Sequence, residues 1–210
     1  MKSKLSLQLP FLGSWFVFWG GDTKELNHHY GTASQRYAYD FVKTGKDGNF
    51  YRGAEHTNSS SLSFGQAVLA PADGIVVEAV ATVRDNKPGD LNPYAILGNF
   101  ILIEHAKDEY SVLAHLQQHT LKVKAGDNVR AGQNVASCGN SGYSTDAHIH
   151  FHLQDSSILA TMDESFNKVN VAMGIKAYFT SVVVERKNSH KDRILYAPIK
   201  GDTVHTRLAE

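Results

Sequence analysis

The sequence predicts an all-β chain, an antiparallel β-sandwich with long loops. Three observations carry this. Apolar, aromatic and β-branched residues fall in short runs of four to eight, the length and composition of strands. Turn residues separate those runs at intervals of about ten residues, the spacing of antiparallel folds. Stretches with a helical period are few, which leaves no room for the crossover helices of a parallel sheet.

The elements follow in chain order. "MKSKLSLQLPFLGSWFVFWGGD" opens with two lysines and an apolar run, the outline of an export signal. Gln8 and Pro10 break that run, its residues are aromatic rather than aliphatic, and Trp19-Gly20-Gly21-Asp22 is no small-x-small cleavage site, so a strand entering the domain is expected. Further strands are expected at 64–70, 74–83, 99–105, 110–116, 134–139, 148–154 and 178–185. Turns fall at "PADG", "KAGD" and "GNSG". Residues 84–98, "RDNKPGDLNPYAILG", form a Pro/Gly/Asn-rich loop of the kind that rims a site. Residues 185–193, "ERKNSHKDR", read as a solvated charged turn. A single domain over 1–210 is expected, its motif-bearing core at about 27–155, with extra strands and turns at 1–26 and 156–210.

The 21 basic and 21 acidic residues give a net charge of zero, with no basic stripe for phosphates, which argues against a nucleic-acid partner. No apolar run approaches the 18 residues of a membrane span. The single cysteine, Cys138, excludes an intrachain disulfide framework and reads as a small packing residue. Eleven histidines are the outlying feature.

Three of those histidines stand in "HIHFHLQ", residues 148–154. In a strand His148, His150 and His152 share one face, while Ile149, Phe151 and Leu153 share the other. One face suits a core. The other buries imidazoles, which costs desolvation unless a metal or acid partner is present. Two further clusters stand elsewhere: "NHHYGTASQRYAYDF" with His28, His29 and Asp40, and "LAHL" with His115. Neutral imidazoles and a carboxylate from separate segments are the donor set of a catalytic zinc.

Three features in order, His29-x(10)-Asp40, the "AHL" strand and the loop "GNSGYSTDAHIHF", together with the joining strands and glycines, resemble the lysostaphin/LytM-type zinc metallopeptidases. The likeness covers roughly residues 27–155 and implies a fold related to the barrel-sandwich hybrid. It also implies one Zn2+ per chain held by His29, Asp40 and His150, with His115 and His148 as catalytic residues beside the open position. With no H-E-x-x-H glutamate present, one of these two histidines takes the proton from water and the other donates to the oxyanion. The implied substrate is a peptide in bacterial cell-wall peptidoglycan, cut by a monomer. No export signal is visible, whereas that substrate lies outside the membrane. His28 is expected to point away from the metal. His152 is read as a partner of a ligand or a rim residue rather than a fourth ligand. Loops 84–98 and 139–147 are expected to wall the groove, with Asn99 and Tyr143 as candidate substrate contacts. Two readings compete: a non-enzymatic regulatory module of the same fold, and a biotinyl- or lipoyl-like carrier domain suggested by "VKAGDNVRAGQNV" and "APADGIVVEAV", which lacks the attachment lysine hairpin.

Overall fold

A computed structural model describes residues 3–54, 56–159, 161–162, 168–169, 172–186 and 189–206. Within them the chain forms β1 (Trp15–Trp19), a 3-10 turn (His28–Gly31), β2 (Tyr39–Val42), β3 (Ala67–Leu69), β4 (Gly74–Val80), β5 (Asn99–Ala106), β6 (Glu109–Leu116) and β7 (Asn128–Val129). There follow β8 (Asn134–Ser137), β9 (Ile149–Gln154), β10 (Thr161–Met162), β11 (Lys168–Val169), β12 (Gly174–Ile175), β13 (Phe179–Arg186), β14 (Ser189–Tyr196) and β15 (Thr203–Thr206). Among the described residues no helix is long and apolar enough to cross a membrane.

One open antiparallel sheet runs in the order β14-β13-β15-β1-β2-β9-β6-β5-β4-β7, with β12 paired to one end of β9. It does not close into a barrel. Ribbon β3-β8 forms a second layer: Val68, Val135 and Ala136 share one buried cluster with Ile101, Ile103, Leu113 and Phe151 of the large sheet. Period-two alternation builds this layer. In β9, Ile149, Phe151 and Leu153 enter that core, and in β5 Ile101 and Ile103 do so, while Phe100 and Leu102 turn to the other face beside Val112 and Ala114. The site lies on that other face.

Two departures from regular pairing shape the site. Between Val17 and Trp19 the register of β1 against β2 shifts, so that Trp19 rather than Phe18 pairs with Asp40. Between β5 and β6, Asn99 pairs with Leu116 and Ile101 with Leu113, which leaves an extra residue on β6. His115 sits at this bulge with φ +59, in the left-handed region.

Residues 185–193 differ from expectation. They belong to the antiparallel pair β13-β14, in register from Phe179↔Tyr196 to Arg186↔Ser189, with positions 187–188 outside the described residues. Charged side chains suit an edge strand whose faces meet water, so the polar composition concealed a hairpin. Part of the 156–210 extension likewise lies outside the described residues.

Candidate metal centre

Three adjacent strands place the donors. Asp40 of β2 pairs with His150 of β9, and His150 pairs on its other side with Ala114 of β6. The small Ala114 side chain leaves room above it. Nδ1 of His150 lies 3.0 Å from Oδ1 of Asp40. The 3-10 turn at 28–31 supplies the remaining donors. Asn27 precedes it and is anchored by side-chain bonds to the carbonyls of Gly21, Arg36 and Ala38, while its own Oδ1 accepts from the His29 N–H.

His28 departs from the expectation that it points away. The Nε2 atoms of His28 and His29 both reach Oδ2 of Asp40, at 3.1 and 3.0 Å, and lie 2.8 Å from each other. The reason is local: neighbours in a 3-10 turn lie about a third of a turn apart, not on opposite faces as in a strand. The two rings are not equivalent. His28 is 52% exposed and stacks on Trp19 at 4.9 Å, whereas His29 is 15% exposed and its ring meets His150 edge-on at 4.7 Å. Among the described residues His28, His29 and Asp40 form the tightest three-donor group. His150 approaches the same carboxylate through the other oxygen.

This donor set fits zinc. Ligand atoms about 2.0–2.2 Å from a tetrahedral zinc stand roughly 3.3 Å apart, and the nitrogen-to-carboxylate separations here are 3.0–3.2 Å. Burial pushes the Asp40 carboxyl up, but the electrostatic attraction of His29 and His148 and the close approach of the His150 and His28 rings outweigh it, leaving the group well below the usual carboxylate range. Burial holds His150 down to about 3 and His152 to about 4, both neutral at pH 7.

His115 and His148 stand beside this set, their ring centroids 4.8 Å apart. Nδ1 of His115 donates to the Ser141 carbonyl at 2.8 Å, and Nδ1 of His148 donates to the Asp146 carbonyl at 2.8 Å. A carbonyl only accepts, so both rings carry a proton on Nδ1. Nε2 of His148 is 3.6 Å from Oδ1 of Asp40. His115 is held well below the ordinary histidine range by burial and by competition for protons with the neighbouring His148 and His150 rings.

The site opens into a cleft of about 470 Å³ lined by Phe18, Trp19, Phe50, Leu91, Ile96, Tyr143 and the histidines. Both expected wall loops contribute to it. They are bonded together: Asn86 Nδ2 donates to the carbonyls of Gly142 and Ser144, and Asn92 N to Gly142. Tyr143 is exposed on the cleft. Asn99 is fully buried and bonds Val83 and Leu116, so it braces the loop instead of meeting substrate. His152 is 2% exposed and therefore no rim residue. Trp19, Phe18 and Phe50 were not legible as cleft residues, because aromatic strand and loop residues read as core.

A model of peptidase family M23 matches residues 58–163. That stretch contains His115, His148 and His150 but not His28, His29 or Asp40, whose part in the site rests on geometry. The chain is 35% identical over 91 residues to an uncharacterized metalloprotease of Haemophilus influenzae, covering 43% of this chain and 16% of that protein. It is 36% identical over 92 residues to the murein hydrolase activator NlpD of Escherichia coli, covering 44% and 21%. It is 31% identical over 103 residues to the peptidoglycan DD-endopeptidase ShyA of Vibrio cholerae, covering 49% and 21%. The matched region thus spans between 16% and 21% of these relatives. With the family match extending over half its length and including His115, His148 and His150, the chain belongs to peptidase family M23.

Proposed function

We propose that the chain is a zinc-dependent endopeptidase acting on peptide bonds of bacterial cell-wall peptidoglycan, and that it works in the cell envelope where that polymer lies. The observation that carries this reading is the approach of His29 and His150 to Asp40, each with a ring nitrogen within 3.2 Å of its carboxylate, flanked by His115 and His148, whose Nδ1 atoms are held by backbone carbonyls. His29, Asp40 and His150 would hold the metal; His28 stands at the cleft wall on Trp19. Bound there, zinc supplies Lewis-acid polarisation of the scissile carbonyl and makes water acidic enough to attack near neutral pH.

The chain's own residues handle the protons. His115, kept neutral by burial, accepts the proton of the attacking water at Nε2 while Ser141 holds its ring. The proton then passes to the leaving amine. His148, with Nε2 beside the Asp40 carboxylate, is placed to hold a proton there and donate it to the developing oxyanion. The apolar cleft grips the substrate on either side of the bond.

A relative named as a murein hydrolase activator supports a second reading, a regulatory module without turnover. The complete donor set favours the enzyme. Purified protein incubated with intact peptidoglycan and with oligoglycine, with and without chelator, tests the choice. Chelator-sensitive release of new amino termini is expected; a zinc-loaded protein that releases none from either substrate would establish the regulatory reading.

A further inference from the structure

Behind His150 a buried line of side chains continues along the same face of β9. Nε2 of His150 lies 2.9 Å from Nδ1 of His152, and Nε2 of His152 lies 3.1 Å from Oε1 of Gln154. Gln154 ends the line: its Nε2 reaches the backbone carbonyls of Ser156 at 2.7 Å and Ile158 at 3.4 Å. All three side chains are at most 2% exposed.

This line has a direction, set from its far end. Backbone carbonyls only accept, so the amide nitrogen of Gln154 must face them and its Oε1 must face His152. An amide oxygen also only accepts, so His152 donates from Nε2 and keeps a lone pair on Nδ1. Nδ1 in turn accepts, so the proton of His150 is on Nε2. The remaining lone pair of His150 is then on Nδ1, the atom 3.0 Å from Oδ1 of Asp40. Two bare acceptor atoms facing each other at that distance in a buried site repel, and a cation between them removes the repulsion.

We infer that His152 and Gln154 are positioning residues that lock His150 in the one tautomer able to offer Nδ1 to a metal ion. The inference rests on the reading of His150 as a zinc ligand. Partners that fix the tautomer of a ligating histidine are worth about 10–100-fold in metal affinity.

The test begins with the metal-free parent protein, so that it does not depend on zinc or activity. Long-range proton–nitrogen NMR of 15N-labelled protein at pH 7 is expected to show His150 and His152 both protonated on Nε2; a proton on Nδ1 of either ring overturns the inference. Zinc affinity is then read by chelator competition. His152→Leu is expected to bind zinc about 10–100-fold more weakly, and His152→Gln, whose amide oxygen can still accept from His150, to recover most of that loss. Equal affinity in parent and His152→Leu, or no recovery in His152→Gln while both proteins remain folded, also overturns it. A parent protein that binds no zinc removes the metal centre of the proposed function, while the NMR result still decides the tautomer.

Discussion

The Nδ1 proton of His115 is held by the carbonyl of Ser141 at 2.8 Å, on a backbone bent into the left-handed region by the bulge in β6. The ring is thus fixed beside His150, their centroids 5.7 Å apart, where the proposed function gives it proton transfer rather than metal binding. His115→Ala is expected to keep zinc near the parental level while turnover falls by roughly 10²–10⁴-fold. His115→Asn, which tolerates the same backbone, serves as the control for strain. Elemental analysis beside peptide release decides the matter, and loss of zinc in either variant would make His115 a ligand.

Asp40 is shared by every candidate donor, so Asp40→Ala should abolish stoichiometric zinc. His29→Ala should lower occupancy severely, and His28→Ala much less, because its exposed ring rests on Trp19. If His28→Ala loses as much metal as His29→Ala, the choice between the neighbours is wrong.

His148 and His150 are expected to divide the work. His148→Ala should retain zinc and lose turnover, whereas His150→Ala should lose both, because of these two rings His150 lies 3.0 Å from Asp40 and His148 3.6 Å. Metal content and activity measured on the same preparations check this; zinc retained by His150→Ala would reverse the assignment.

The metal-free protein should be acid-labile. His115, His150 and His152 are held neutral by burial, so below about pH 6.5 the unfolded chain binds protons that the folded chain refuses. Stability is full above that pH. It is lost as pH falls towards about 4 for His152 and about 3 for His150, with a slope of up to about 1.4 kcal/mol per pH unit for each ring. Thermal unfolding in chelator checks it, and a midpoint unchanged between pH 7 and 5 would contradict it.

Gly98 has φ +60, and a Cβ there would lie 2.3 Å from the Ser141 carbonyl oxygen, the acceptor for His115. Gly98→Ala must therefore displace the loop that orients the ring. A loss of about 1–3 kcal/mol in stability is expected, together with reduced turnover at unchanged zinc content. Denaturant midpoints and kinetics on the same variant test both effects.

The sheet was legible where alternation and composition agree. The strands at 99–105, 110–116 and 148–154 stand within a residue of those expected, because buried β-branched and aromatic residues at period two leave little choice. Alternation failed at His115. In an unbroken strand it would share the face of Leu113, in the core; only the bulge turns it back, and a bulge leaves no compositional mark. The His28–His29 pair failed for a related reason, since nothing in "NHHYG" shows a 3-10 turn in place of a strand. The tie from His152 to Gln154 was hidden because it depends on the two carbonyls beyond the strand's end.

The pairing of β2 with β9 also bears on how the molecule folds. Asp40 and His150 are 110 residues apart in sequence, so they meet only after the loop between them has closed and the central strands are in register. A metal ion then has only the local His28, His29 and Asp40 donors to seize in the early chain, without His150. Zinc should leave the refolding rate nearly unchanged and slow unfolding, adding about 2.7 kcal/mol at a hundredfold excess over its Kd. On the proposed ligand set the ion would act as a latch on a finished sheet, not as the nucleus around which it forms.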